Sequence, residues 1–228
     1  MEAETVQKNN SKKKLQTGSI AFILAGVVYL LCEAISALAW SNPAYKYSYN
    51  YISDLGIPVV TQFMERSINS PLYYVMNFGF FAHGILFVAG YIMIINAIQN
   101  NKTQKYFALT LAVIHGIGIA MVGAFPGYDW WGEPYHGIGA LFAIVIGNFA
   151  ILCGGLLARR LFTQKWFTVL SILFCIIGIA SFVLFIVQEN NIYAAVYERL
   201  SVYTIMAWDI LFGIINIIKQ NESGNKIS

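Results

Sequence analysis

Six stretches of this chain are long and apolar enough to cross a bilayer as helices. They are Ser19–Ala39, Leu72–Ala97, Tyr106–Ala124, His136–Ala158, Trp166–Val187 and Val196–Ile218. A hydrocarbon core about 30 Å thick calls for about 20 apolar residues in a helix. None of the six shows the short two-residue alternation of an outer-membrane barrel strand. Without water to satisfy the backbone, a helix is the remaining way to cross. The pattern predicts an all-α polytopic membrane bundle of six transmembrane helices. Residues 1–17 form a polar, mobile tail, 18–218 the transmembrane domain and 219–228 a second tail. The connections Ile98–Lys105 and Arg159–Lys165 are short, so sequential helices are antiparallel neighbours. The longest connection, Trp40–Pro71, is an outer cap segment, with a short helix near Val59–Ile68 or a piece folded back onto the bundle.

Composition supports the class. The chain is 58% hydrophobic and 11% charged, whereas soluble domains carry about 25% charged residues. Mean hydropathy is +0.62. Charge then orients the bundle. Of the 14 basic residues, only Lys46, Arg66 and Arg199 fall on the side of the long cap segment. Lys8, Lys12–Lys14, Lys102, Lys105, Arg159, Arg160, Lys165, Lys219 and Lys226 fall on the other. The positive-inside rule places both termini in the cytoplasm of a cell-membrane protein. The net charge of +3 reflects this asymmetry and implies no nucleic-acid partner. A cleaved signal peptide, with Ala37-Leu38-Ala39 as its A-x-A site, is a competing reading of the first span. The run is longer than an ordinary signal core, Glu33 interrupts it, and five more spans follow.

The segment SYNYISDLG, Ser48–Gly56, alternates tyrosines with polar residues and ends in an acid and a glycine. Tyrosine and tryptophan favour the membrane–water boundary. Tyr45–Tyr51, Trp130, Trp131, Tyr135, Tyr193 and Tyr197 are all expected at the outer one. Gly139, Ala143 and Gly147 in the fourth span, and Gly116, Ala120 and Ala124 in the third, form small-residue ridges that let helices approach closely. Cys32, Cys153 and Cys175 lie within spans at no paired spacing and read as small buried apolar residues.

Ionisable residues inside the spans are the candidates for chemistry. Glu33 lies roughly 9 Å deep from the outer end of the first span, at 1.5 Å per residue. Asp209 lies near the middle of the sixth. A charge at that depth costs at least about 2.5–3.5 kcal/mol, so Asp209 should face the interior with a partner or a proton. Each histidine precedes Gly-Ile: His83-Gly84, His115-Gly116 and His136-Gly137. All three are placed in the outer half of the membrane. A shared zinc site of His83, His115 and His136 is possible, since zinc takes histidine and carboxylate ligands. No HxxxH spacing supports it. A proton relay is equally open. Arg199 sits unfavourably at an outer helix start and calls for an acidic partner, with Asp54, Asp129, Glu133 and Glu198 as candidates. Asp54 is expected to join that cluster and clamp the cap over the bundle mouth. The loop Phe125–Tyr135, with Asp129 and Glu133, is expected to wall any ligand pocket.

Three motifs then resemble a known family: YISDLG after the first span, FP and a later His between the third and fourth, and ER followed by W in the sixth. Together they resemble the six-helix prokaryotic membrane proteins grouped as domain of unknown function 998. The resemblance covers about Ser19 to Ile218. It implies that Ser53, Asp54, Gly56, Pro126, His136 and Arg199 occupy motif positions, and it carries no activity. Intramembrane ceramidase-like hydrolases share a histidine and carboxylate theme, but their HxxxH element is absent.

Three functions remain open. The first is a binding protein whose polar pocket opens to the extracytoplasmic side and takes a lipid or small molecule. The second is a metal-dependent intramembrane hydrolase. The third is a proton-coupled transporter, which ranks last because neither span-internal prolines nor repeats are evident. The pocket candidates are Asp54, His83, His115, Asp129, Glu133, His136, Arg199 and Asp209.

Overall fold

A computed structural model describes residues 2–63, 66–98, 101–129, 132–159, 161, 165–188 and 191–225. Helices long and apolar enough to span a membrane cover Asn9–Ala39, Tyr73–Ala97, Lys102–Ala124, Gly132–Ala158, Trp166–Val187 and Ala194–Glu222. The first lies within α1, Glu2–Ala39, so the polar residues before Ser19 continue the helix instead of forming a loose tail. Then follow α2 (Tyr73–Ala97) and α3 (Lys102–Ala124). The fourth span is a composite of α4 (Gly132–Leu141), a π-helical turn (Phe142–Ile146) and α5 (Gly147–Ala158). The last helices are α6 (Trp166–Val187) and α7 (Ala194–Asn225).

Each helix packs on the next, and α1 returns to α7, so the six spans form a closed ring. Buried side chains fill much of the ring interior. At the end opposite the cap, Phe22 makes edge-to-face contacts with Phe87, Tyr91, Trp208 and Phe212 at centroid distances of 5.3–5.6 Å. Buried ionisable side chains occupy the middle and the cap end. Such packing matters because bilayer lipid is as apolar as the helix surfaces, leaving fit and hydrogen bonds to hold the ring.

Small residues set how closely the helices approach. A Cβ added to Gly118 would lie 2.6 Å from the Ala143 nitrogen and 2.8 Å from the Gly139 oxygen. The contact from α3 to the fourth span therefore runs through Gly118. The ridge that includes Gly116 turns instead to α2, where a Cβ on Gly84 would lie 2.8 Å from the Gly116 oxygen.

Among its described residues, the cap, residues 40–72, has no helix near Val59–Ile68. It has a 3₁₀ turn at Ser53–Gly56 and a short antiparallel hairpin, β1 (Thr61–Phe63) with β2 (Arg66–Ile68), in which Gln62 faces Ser67. The reason lies in β2. Strand alternation sends Arg66 and Ile68 inward together, and both are buried; a helix would turn them to nearly opposite sides. Ile52, Leu55, Ile57 and Ile68 are all buried and anchor the cap in the main core. Ser70 Oγ donates to the Leu55 carbonyl at 2.7 Å, and Asn77 Nδ2 to that of Gly56 at 3.0 Å.

Candidate functional site

The tyrosine-rich stretch divides in two. Tyr47 and Tyr49 face outward, whereas Tyr51 is buried and Tyr45 half-buried. The outermost aromatics thus serve as boundary residues and the others as interior ones. Tyr45 donates from its hydroxyl to the Tyr51 carbonyl at 2.9 Å and accepts from Arg199. Burial pushes the Tyr45 phenol above the usual tyrosine range, so it remains a donor. Trp130, Trp131, Glu65, Glu189, Arg160 and Lys226 lie outside the described residues.

Asp54 does not pair with Arg199. Its Oδ2 accepts from the Tyr51 amide at 2.8 Å and from Arg66 Nε at 2.9 Å, and its Oδ1 accepts from Arg66 at 3.2 Å. The Arg66 guanidinium lies 3.7 Å above the Tyr51 ring, a cation–π contact. Burial disfavours the Arg66 charge, but Asp54 outweighs it and holds Arg66 above the ordinary arginine range. The two-pronged geometry is the strong form of ion pair.

Arg199 finds its acid in Glu33, at 3.5 Å, which was not among the expected partners. Tyr203 donates to both Glu33 oxygens, at 2.8 and 2.9 Å. Arg199 also donates to the Asn50 carbonyl at 2.7 Å. The neighbouring Glu198 accepts from the Ile52 amide at 2.7 Å. These two adjacent residues of α7 therefore fasten the cap: one holds a carbonyl, the other an amide.

Under the cap lies a vestibule of about 200 Å³. Its polar wall holds Asp54, Arg66, Glu133, His136 and Glu198, and its apolar wall includes Phe182, Phe185 and Ile186 of α6. Ser53, His136, Ala140, Ile144 and Glu198 also line a second, inner cavity of about 40 Å³. These shared residues form a neck. The inner cavity reaches His115 and Tyr29. At roughly 10–15 Å³ per water, it has room for about three or four.

Behind the inner cavity is a fully buried pair. His83 Nε2 and Asp209 Oδ2 lie 2.9 Å apart, and both side chains are 0% exposed. The His83 ring stands edge to face with that of His115 at 5.3 Å between centroids. His115 Nδ1 donates to the Ala143 carbonyl at 2.7 Å. Among the described residues, His83 Nδ1, His115 Nε2 and Asp209 Oδ1 find no hydrogen-bond partner. His136 stays apart at the neck, donating from Nδ1 to the Phe125 carbonyl at 2.9 Å. Among the described residues, no three histidine, cysteine or acidic side chains come together as a metal ligand set.

The eight sequence candidates thus divide by position. Asp54, Glu133 and His136 line the vestibule, and His115 the inner cavity. His83 and Asp209 lie behind them, while Arg199 holds the cap. Asp129 is outside the vestibule: its Oδ1 accepts from the Gly132 amide at 2.6 Å and caps α4. Arg66 and Glu198 belong with the site; Arg66 was not singled out, and Glu198 was named only as a candidate partner for Arg199. Arg66 carried one signal, a cation on the side where basic residues are scarce.

The family model for proteins of unknown function designated DUF998 matches residues 23–215. The chain belongs to that family. The match runs from within α1 to within α7, so cap, vestibule and buried pair are all family territory in this DUF998 protein. Among curated proteins and among solved structures, no match to the chain was found.

Proposed function

We propose that this DUF998 protein binds a lipid or small molecule in the vestibule beneath the cap, on the extracytoplasmic side of the cell membrane. The observation that carries this reading is the vestibule's mixed wall. One side is ionic, the other is the aromatic end of a helix whose Ile186 is exposed to the bilayer. Membrane binding sites need few polar groups, placed to fix orientation against an apolar flank. The scarcity of basic residues at the cap end supports its extracytoplasmic placement.

Charge narrows the occupant. Asp54 and Arg66 neutralise one another, leaving Glu133 and Glu198 as the remaining acids on the wall. An amine or polyol headgroup suits this wall better than a bare phosphate. The apolar flank then takes the first part of a chain.

The test uses a glycine. Gly137 lines the vestibule, and a Cβ there meets nothing within 4 Å. Gly137→Trp fills the space from a position that tolerates a side chain. The protein is purified in native lipid and its bound small molecules are identified by mass spectrometry. A component enriched with the native protein and lost from Gly137→Trp at an unchanged melting temperature supports the reading. Identical profiles from the two proteins sink it.

A further inference from the structure

The buried pair raises a question of charge. Asp209 is 0% exposed near the middle of its span, and among the described residues its ion-pair partner is His83. Among the described residues no lysine or arginine forms an ion pair with it: Arg66 is held by Asp54, Arg199 by Glu33 and Lys219 by Glu222. With Asp209 ionised and both imidazoles neutral, the cluster would bear one uncompensated negative charge within the membrane. Uncompensated buried charge is strongly disfavoured.

The hydrogen bonds point the same way. His115 Nδ1 donates to a carbonyl, so neutral His115 presents Nε2 as a bare acceptor. His83 Nδ1 and Asp209 Oδ1 are also unpartnered. Of these three, His115 faces the inner cavity, whereas the His83–Asp209 pair lies behind it; one added proton gives that pair a further donor and removes its net charge.

We propose that His83, Asp209 and His115 form a binding site for a single proton, reached from the vestibule through the inner cavity. A hydronium ion arriving through the neck leaves as neutral water, and the cluster goes from one negative charge to none. The groups facing it are Tyr29 of α1, 5.6 Å from the His83 ring, His115 of α3 and Asp209 of α7. Tyr91 of α2 and Cys153 of α5 lie in the surrounding field, and Glu33, Glu198, Arg199 and Tyr203 act on Tyr29 from the cap end. His115 is the member that touches the cavity, and His136 and Glu198 stand at the neck. This site is independent of what fills the vestibule.

The chain's three histidines and three aspartates make the test direct. Full-length protein in detergent at neutral pH is labelled with ¹⁵N-histidine and with aspartate carrying a ¹³C carboxyl. Asp54→Asn and Asp129→Asn identify their own signals, which leaves Asp209 assigned in otherwise native protein. A protonated Asp209 carboxyl, or an imidazolium at His83, supports the proposal. An ionised Asp209 beside two neutral imidazoles overturns it. The route is tested with Ala140→Leu, which narrows the neck. Exchange of the bound proton for deuterium should slow severalfold with the melting temperature retained. Unchanged exchange overturns access through the vestibule. Neither result depends on a copurifying ligand, so failure here is distinct from failure of the binding function.

Discussion

Glu198 Oε2 accepts the backbone amide of Ile52 at 2.7 Å, joining residues 146 positions apart. The bond ties the cap to the first turns of the last helix. Glu198→Ala leaves a buried amide without its acceptor, which costs about 1–3 kcal/mol. Glu198→Gln keeps an acceptor in place and loses less. Limited chymotrypsin digestion checks the pair: cleavage within residues 40–72 should accelerate in the alanine variant and change little in the glutamine variant.

The Asp54–Arg66 pair should behave as a buried ion pair. Removing one member strands the other, so Asp54→Asn is expected to destabilise by about 3–5 kcal/mol. Arg66→Met in the same background should recover part of the loss, because no charge is then left unpaired. Thermal unfolding of the two singles and the double measures this coupling. Additive losses would contradict it.

Two glycines should respond in opposite directions. Gly118→Ala forces a methyl into the backbone of the facing span and should cost about 1–3 kcal/mol, as overpacking does. Gly137→Ala meets open space and should gain about 0.5–1 kcal/mol from helix propensity. Melting temperatures in one detergent suffice to compare them.

The distribution of basic residues predicts cytoplasmic termini, and the prediction is open to a direct check. A green fluorescent protein fused after Ser228 should fluoresce, and alkaline phosphatase fused there should be inactive. The reverse pattern would place the cap in the cytoplasm and relocate the vestibule.

Hydrophobic run length was enough to read the six spans, because membrane crossing imposes a length requirement that sequence records directly. Side-chain partnerships were harder. Asp209 announced that it needed a partner, but its identity required the α2–α7 geometry that brings in His83, 126 positions away. Arg199 pointed to acids nearby in the outer loops and found Glu33, 166 positions upstream. The ring closure of α1 on α7 explains this, since nothing local in sequence specifies which first-helix face meets the last helix. The hairpin was missed for another reason: its strands are three residues each, too short for alternation to stand out. The three histidines share a Gly-Ile flank in sequence, yet the helices that carry them gave them separate posts.

The cap is held to α7 through Glu198 and Arg199, and to α2 through Asn77. A roof bolted at several points does not swing open like a hatch. A chain-bearing molecule bound as proposed would then come sideways, past Phe182 and Ile186, out of the oily phase. The bilayer itself then becomes the antechamber, and partitioning into it screens molecules before any side chain does.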